Sequence, residues 1–201
     1  MDTKKSTGWS WILRAVAVGA ALATTSPTLA EGLPKKPGPA RTAKMFDLLC
    51  LSKLPDIKAI AGLAAANKFA KLEGKALAAY RPQAPIDQLH GWRFTDFGAT
   101  YTLLVTSGKP DAQFKAQMPA YANSVNYACS LILPNKFAKA AVLAALGKIV
   151  GRKHDDVWDQ GRMQVHAWKA TTDKFFIQAF HYAGKTRPNS SLLSASIFVK
   201  K

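Results

Sequence analysis

Val125-Asn126-Tyr127-Ala128-Cys129-Ser130-Leu131-Ile132-Leu133-Pro134 carries the clearest structural signal in the chain. Val125, Tyr127, Cys129, Leu131 and Leu133 alternate with Asn126, Ala128, Ser130 and Ile132. That is the period of a strand with one buried face, and Pro134, which has no amide to donate, ends it. Beyond it the period changes. Across 135–150, Val142, Leu143, Leu146, Ile149 and Val150 share one arc of a helix that Gly151 stops. Gln164–Trp168 and Phe175–Tyr182 read as two strands about the turn Ala170-Thr171-Thr172-Asp173. Leu193, Ala195, Ile197 and Val199, alternating with Ser194, Ser196 and Phe198, make a final strand.

The N-terminal half is similar in outline. Phe46, Leu48, Cys50 and Leu54 share a face if 45–54 is extended, with a short helix from Asp47 as the alternative. Pro55 suits a first helical position, with Ala-rich residues 56–73 behind it and Gly74 as the stop. Trp92 and Phe94 lead through Phe97-Gly98 into Tyr101, Leu103 and Val105, a hairpin whose outward face carries Thr100, Thr102 and Thr106. Residues 112–122 fit neither period.

Cys50-Leu51-Ser52-Lys53-Leu54-Pro55 and Cys129-Ser130-Leu131-Ile132-Leu133-Pro134 both read Cys-x-x-x-Leu-Pro, and they hold the only two cysteines. Each precedes an apolar helical segment and then aromatic strands, which suggests an internal duplication with halves 44–118 and 119–201. The expected architecture is α+β: an antiparallel sheet of five to seven strands with two main helices on one face. At 201 residues and 48% hydrophobic content, the chain has the size and apolar share of a single domain. Two cysteines rule out a disulfide-dense scaffold and a four-Cys zinc site.

Residues 1–30 read as a secretory signal peptide. Lys4 and Lys5 precede Arg14 and the apolar run Ala15–Ala23, which is too short to span a bilayer. Pro27 and Thr28-Leu29-Ala30 then supply a helix break and small residues for cleavage after Ala30, with Ala21-Leu22-Ala23 as the rival site. Residues 31–43, with Pro34, Pro37 and Pro39 among Lys35, Lys36 and Arg41, read as an extended tether before a domain at 44–201. Export places the protein in a periplasm or outside the cell, with no membrane span after cleavage. There Cys50 and Cys129 can bond; two buried thiols or a reactive nucleophile are the other readings.

The full chain carries 28 Lys and Arg against 12 Asp and Glu, net +16. Loss of Lys4, Lys5, Arg14 and Asp2 with the leader removes three cations and one anion, leaving +14. Lys68, Lys71 and Lys75 fall on one arc of the first helix, and Lys148, Arg152 and Lys153 follow the second, so these six are the anion-binding candidates. The charge is spread along the chain without an Arg-rich run or an aromatic-basic ladder, which argues against nucleic acid; an anionic envelope component is the partner the charge would select, and ordinary solvated lysine is the other reading. His154-Asp155-Asp156-Val157-Trp158-Asp159 holds one His and three Asp in a loop without a second His at ligand spacing, so neither a metal nor another cofactor is expected. No nucleophile elbow or phosphate loop is present.

The function expected from these features is an exported, non-enzymatic binding or accessory protein, a monomer or weak dimer, engaging an anionic surface. The alternative is a small hydrolase or transferase using His166, His181 and Arg162 on the open sheet face. A third reading has the final strand, 191–199, pairing at an edge with another chain.

Overall fold

The computed structural model describes residues 29–134, 138–172, 174–184 and 191–200. The helices are α1 (Pro39–Phe46), which runs directly into a π-helical turn (Asp47–Leu51), α2 (Ile57–Ala66), α3 (Gly74–Ala78), α4 (Ala112–Gln117) and α5 (Lys139–Val150). The strands are β1 (Ala70–Lys71), β2 (Gln88–Asp96), β3 (Ala99–Gly108), β4 (Val125–Leu133), β5 (Asp156–Gln160), β6 (Met163–Thr171), β7 (Phe175–Gly184) and β8 (Ser191–Val199). All eight form one antiparallel sheet in the order β1-β2-β3-β4-β8-β7-β6-β5. The protein is α+β as expected, with more strands than expected.

Two four-stranded meanders, β1–β4 and β5–β8, meet where β4 pairs β8, and Cys129 opposite Ala195 is the midpoint of that ladder. β8, expected as an exposed edge, is therefore central; the edges are β1 and β5. The Cys-x-x-x-Leu-Pro segments occupy unlike places. Cys129 lies on β4, while Cys50 lies in the π turn. The reason is visible in the burial pattern: Met45, Phe46, Leu49 and Cys50 are buried at helical spacing, and Leu48 is only half-buried. The period-two reading of 45–54 gives way to a helix. No residue of 45–54 joins the sheet.

The expected tether also differs. Leu33 is buried, and Pro39 opens α1 at a position where its missing amide costs nothing. The Arg41 guanidinium grips Asp96 at the end of β2 through Nε and Nη2, at 2.8 and 2.7 Å, donates to the Pro34 carbonyl and lies 4.9 Å over the Phe97 ring. The β2–β3 hairpin turns at Phe97 and Gly98, both at positive φ (47° and 69°), which matches the twist of two-residue hairpins.

The first Ala-rich helix is shorter than expected. Asp56 caps α2 by accepting the Ala59 amide, and the helix stops at Ala66. Asn67 returns its side-chain amide to the Leu63 carbonyl, Lys68 takes positive φ, and Phe69 stacks on Phe94 at 4.0 Å, drawing the chain into β1. Core packing of Phe69 thus overrides helix propensity in this segment.

One sheet face is covered. Leu103, Val105, Cys129, Leu131, Leu193 and Ala195 are fully or almost fully buried beneath Phe46, Leu49, Ile60, Ala64, Val142, Leu146 and Val150. Cys50 and Cys129 are bonded across this layer, Cα atoms 5.4 Å apart, tying the π turn to the sheet midpoint. Among the described residues no helix is long and apolar enough to cross a membrane.

Candidate functional site

The opposite sheet face is open over its centre. Strand parity places Thr102, Leu104 and Thr106 of β3, Asn126, Ala128, Ser130 and Ile132 of β4, Leu192, Ser194, Ser196 and Phe198 of β8, and Phe176, Gln178, Phe180 and Tyr182 of β7 on it. Not one of these side chains is charged. The four adjacent strands form a floor of hydroxyls, carboxamides and small apolar groups in a chain of net charge +16.

Segments on either side turn that floor into a cleft of about 560 Å³. On the β2 side, α3 lies over Gly91, where a Cβ would come 2.8 Å from Leu77 Cδ1, and residues 80–86 continue as a wall. That wall touches the sheet through Gly108, where a Cβ would sit 2.6 Å from the Pro85 carbonyl oxygen and 2.9 Å from Ile86 Cα. At the end of the sheet, α4 is capped by Asp111 accepting the Phe114 amide, and it lays Phe114 on Phe198 with ring centroids 3.8 Å apart. Phe180 and Tyr182 stand on the far side, rings 5.6 Å apart, and Trp158 of β5 meets Phe180 edge-on.

The polar groups are poised rather than spent. Ser130 and Ser194 share a hydrogen bond at 2.9 Å, while Asn126 keeps its Oδ1 buried without a partner among the described residues. Burial pushes the Tyr182 phenol above its ordinary pKa, so it remains a neutral hydroxyl at physiological pH. Among the described residues, the charged side chains lining the cleft are Lys109 and Asp111, at one end and of opposite sign.

The histidines lie elsewhere. His166 and His181 do share a face with Gln164 and Trp168, but it is the helix-covered face, and they oppose each other directly. A two-residue turn at Thr171-Thr172 would set His166 against Ile177 and His181 against Arg162; the observed register differs from that by four residues. β6 continues through Thr171, and Thr172 closes the loop by accepting the Phe175 amide on Oγ1 and bonding the Phe175 carbonyl. Arg162 sits exposed in the β5–β6 turn beside Gly161 at positive φ, away from both histidines. The hydrolase reading loses the open-face pocket it required.

His154 leaves the expected loop cluster and joins this group, 4.7 Å from the His166 ring and 5.9 Å from Trp168. Burial lowers the His181 pKa to about 4, helped by His166 and Lys139, and burial followed by His154 lowers that of His166. His181 Nε2 meets Ser191 Oγ at 2.8 Å, and His166 Nε2 meets Gln164 Oε1 at 3.1 Å. Among the described residues no three His, Cys, Asp or Glu side chains are arranged to hold a metal.

The six cation candidates divide. Lys68 occupies the turn after α2, Lys71 lies on β1 and pairs with Glu73 at 2.9 Å, and Lys75 is on α3. They share no helix face, because α2 ends before the first of them. Lys148, Arg152 and Lys153 do gather with His154 and Trp168 around the end of α5. There cations complement the helix C-terminus, and Arg152 is committed to Asp155 and, at 2.6 Å, to the Lys169 carbonyl.

The signal that marks the cleft was present in the chain as the polar half of the β4, β7 and β8 alternations. Comparison with protein-family models, curated proteins and solved structures gave no match.

Proposed function

We propose that this protein is an exported, non-enzymatic binding protein whose ligand occupies the open-face cleft. The absence of any charged side chain on the open face of β3, β4, β8 and β7 carries this reading. A merely solvated sheet face in so basic a chain would be expected to carry lysine, whereas a face that desolvates around a ligand needs neutral groups with few convergent polar atoms. The volume lies within the usual range for small-molecule sites, roughly 300–1,000 Å³.

Export agrees with the Cys50–Cys129 bond, since disulfides persist in oxidising compartments. The leader itself, apart from its last two residues, lies outside the described residues. Leu29 is buried and its amide donates to Asn67 Oδ1 at 3.0 Å, which favours cleavage after Ala23 over cleavage after Ala30. The matching meanders β1–β4 and β5–β8 support a doubled unit, aligned by strand order and not by the cysteines.

The test is ligand-observed NMR with mixed neutral sugars, short peptides and fatty acids. At least one compound should receive saturation from the wild-type protein and none from Ser196→Trp, which fills the cleft, and no compound should be converted. Binding that survives Ser196→Trp, no binding at all, or turnover would overturn the reading.

A further inference from the structure

We infer that the cleft is built for a neutral saccharide, a short oligosaccharide lying along the β4–β8 floor with a ring face against Phe180 or Tyr182. This inference rests on the cleft being the ligand site.

The backbone excludes one class of partner. β3, β4, β8 and β7 each pair on both sides, so no ladder is free on the floor, and an extended peptide cannot add there as a strand. Recognition must come from side chains. Those available, the carboxamides of Asn126 and Gln178 and the hydroxyls of Thr106, Ser130 and Ser196, offer both donors and acceptors. Sugar hydroxyls do the same, so the hydroxyls of a short oligosaccharide match this mixed set in kind. Among the described residues a ligand with a net charge would find only Lys109 and Asp111, which offset each other at one end. An acyl chain would offer the carboxamides of Asn126 and Gln178 no hydrogen-bond partner.

The aromatic side chains complete the match. Phe180 and Tyr182 lie next to the polar floor, and the C–H face of a pyranose is the apolar surface that packs on such rings while its edge hydroxyls reach the amides. Asn126 adds a specific incentive. Asn126 lines the cleft and its buried Oδ1 has no partner among the described residues, so a sugar hydroxyl donating to it would satisfy it.

The experiment titrates the mature secreted protein, labelled with nitrogen-15, with maltotriose, cellotriose and triacetylchitotriose. Trigalacturonate, laurate and trialanine serve as the charged, apolar and peptide probes. At least one neutral trisaccharide should shift the side-chain amide signals of Asn126 and Gln178. The double variant Asn126→Ala/Gln178→Ala, with its remaining spectrum unchanged, should bind that sugar about tenfold more weakly, as expected for two net hydrogen bonds. If laurate, trialanine or trigalacturonate shifts those amides and the neutral sugars do not, the saccharide assignment falls while the cleft remains the site. If no probe shifts them, both readings fall. Sugar binding of equal strength in the double variant would place the saccharide elsewhere and overturn the inference.

Discussion

His166 and His181 stand directly opposite each other on β6 and β7, rings 6.0 Å apart and inclined by only 23°, each with a buried Nδ1 that has no partner among the described residues. Burial and mutual proximity favour the neutral form of both imidazoles, which makes this pair an acid-sensitive point of the covered layer.

The folded pKa of His181 is about 4 against an ordinary 6.5. Between those values the unfolded chain binds the proton and the native state does not, so stability falls as pH falls through this window. It should be full above pH 6.5 and reduced by on the order of 3 kcal/mol at pH 4, with His166 adding in the same direction. Urea midpoints measured across that range should decline with acidity, and His181→Gln should flatten the decline. An equal slope in the variant would assign the acid sensitivity to other groups.

Reduction of Cys50–Cys129 frees a span of 79 residues in the unfolded chain and should cost about 4 kcal/mol on the chain-entropy account. Both cysteines are fully buried, so dithiothreitol in native buffer should leave the bond intact, and the same reductant in urea should open it. Intact mass after alkylation reports both. Rapid reduction of the folded protein would contradict the burial.

Arg41 and Asp96 are nearly buried and doubly hydrogen-bonded, with side-chain exposures of 10% and 18%. Asp96→Asn, leaving the guanidinium underpaired, should destabilise by about 3 kcal/mol, whereas Arg41→Met/Asp96→Leu together should cost much less. Equal losses in the single and double variants would show that the ion pair, and not the isolated charge, carries the effect.

Gly91→Ala and Gly108→Ala separate two kinds of contact. At 91 the new methyl meets the end of Leu77, which can rotate away; at 108 it meets the backbone of Pro85 and Ile86, which cannot. Gly108→Ala should therefore cost about 1–3 kcal/mol in urea unfolding and displace the wall of the cleft, while Gly91→Ala costs less. The reverse order would mean that residues 85–87 yield more readily than α3.

Local periodicity was enough to identify β4, most of β2 and β3, α5 and the alternation of β8, because the face a strand residue takes depends on its immediate neighbours. It failed at 45–54, where Phe46, Leu48, Cys50 and Leu54 fit period two while Met45, Phe46, Leu49 and Cys50 fit a helix, and only packing under α5 selects the second. It failed again at Lys68, Lys71 and Lys75, where the pull of Phe69 on Phe94 ends α2 before the first lysine.

From residue order alone came the α+β character, the solitary pair of cysteines and the uncharged polar alternation that lines the cleft. The partner of each strand, the four-residue difference in the β6–β7 register, the central place of β8 and the choice of which face stays open belong to the tertiary structure. Those features are settled between segments far apart in the chain, by which apolar surfaces find one another, and no pattern within a single segment encodes that choice.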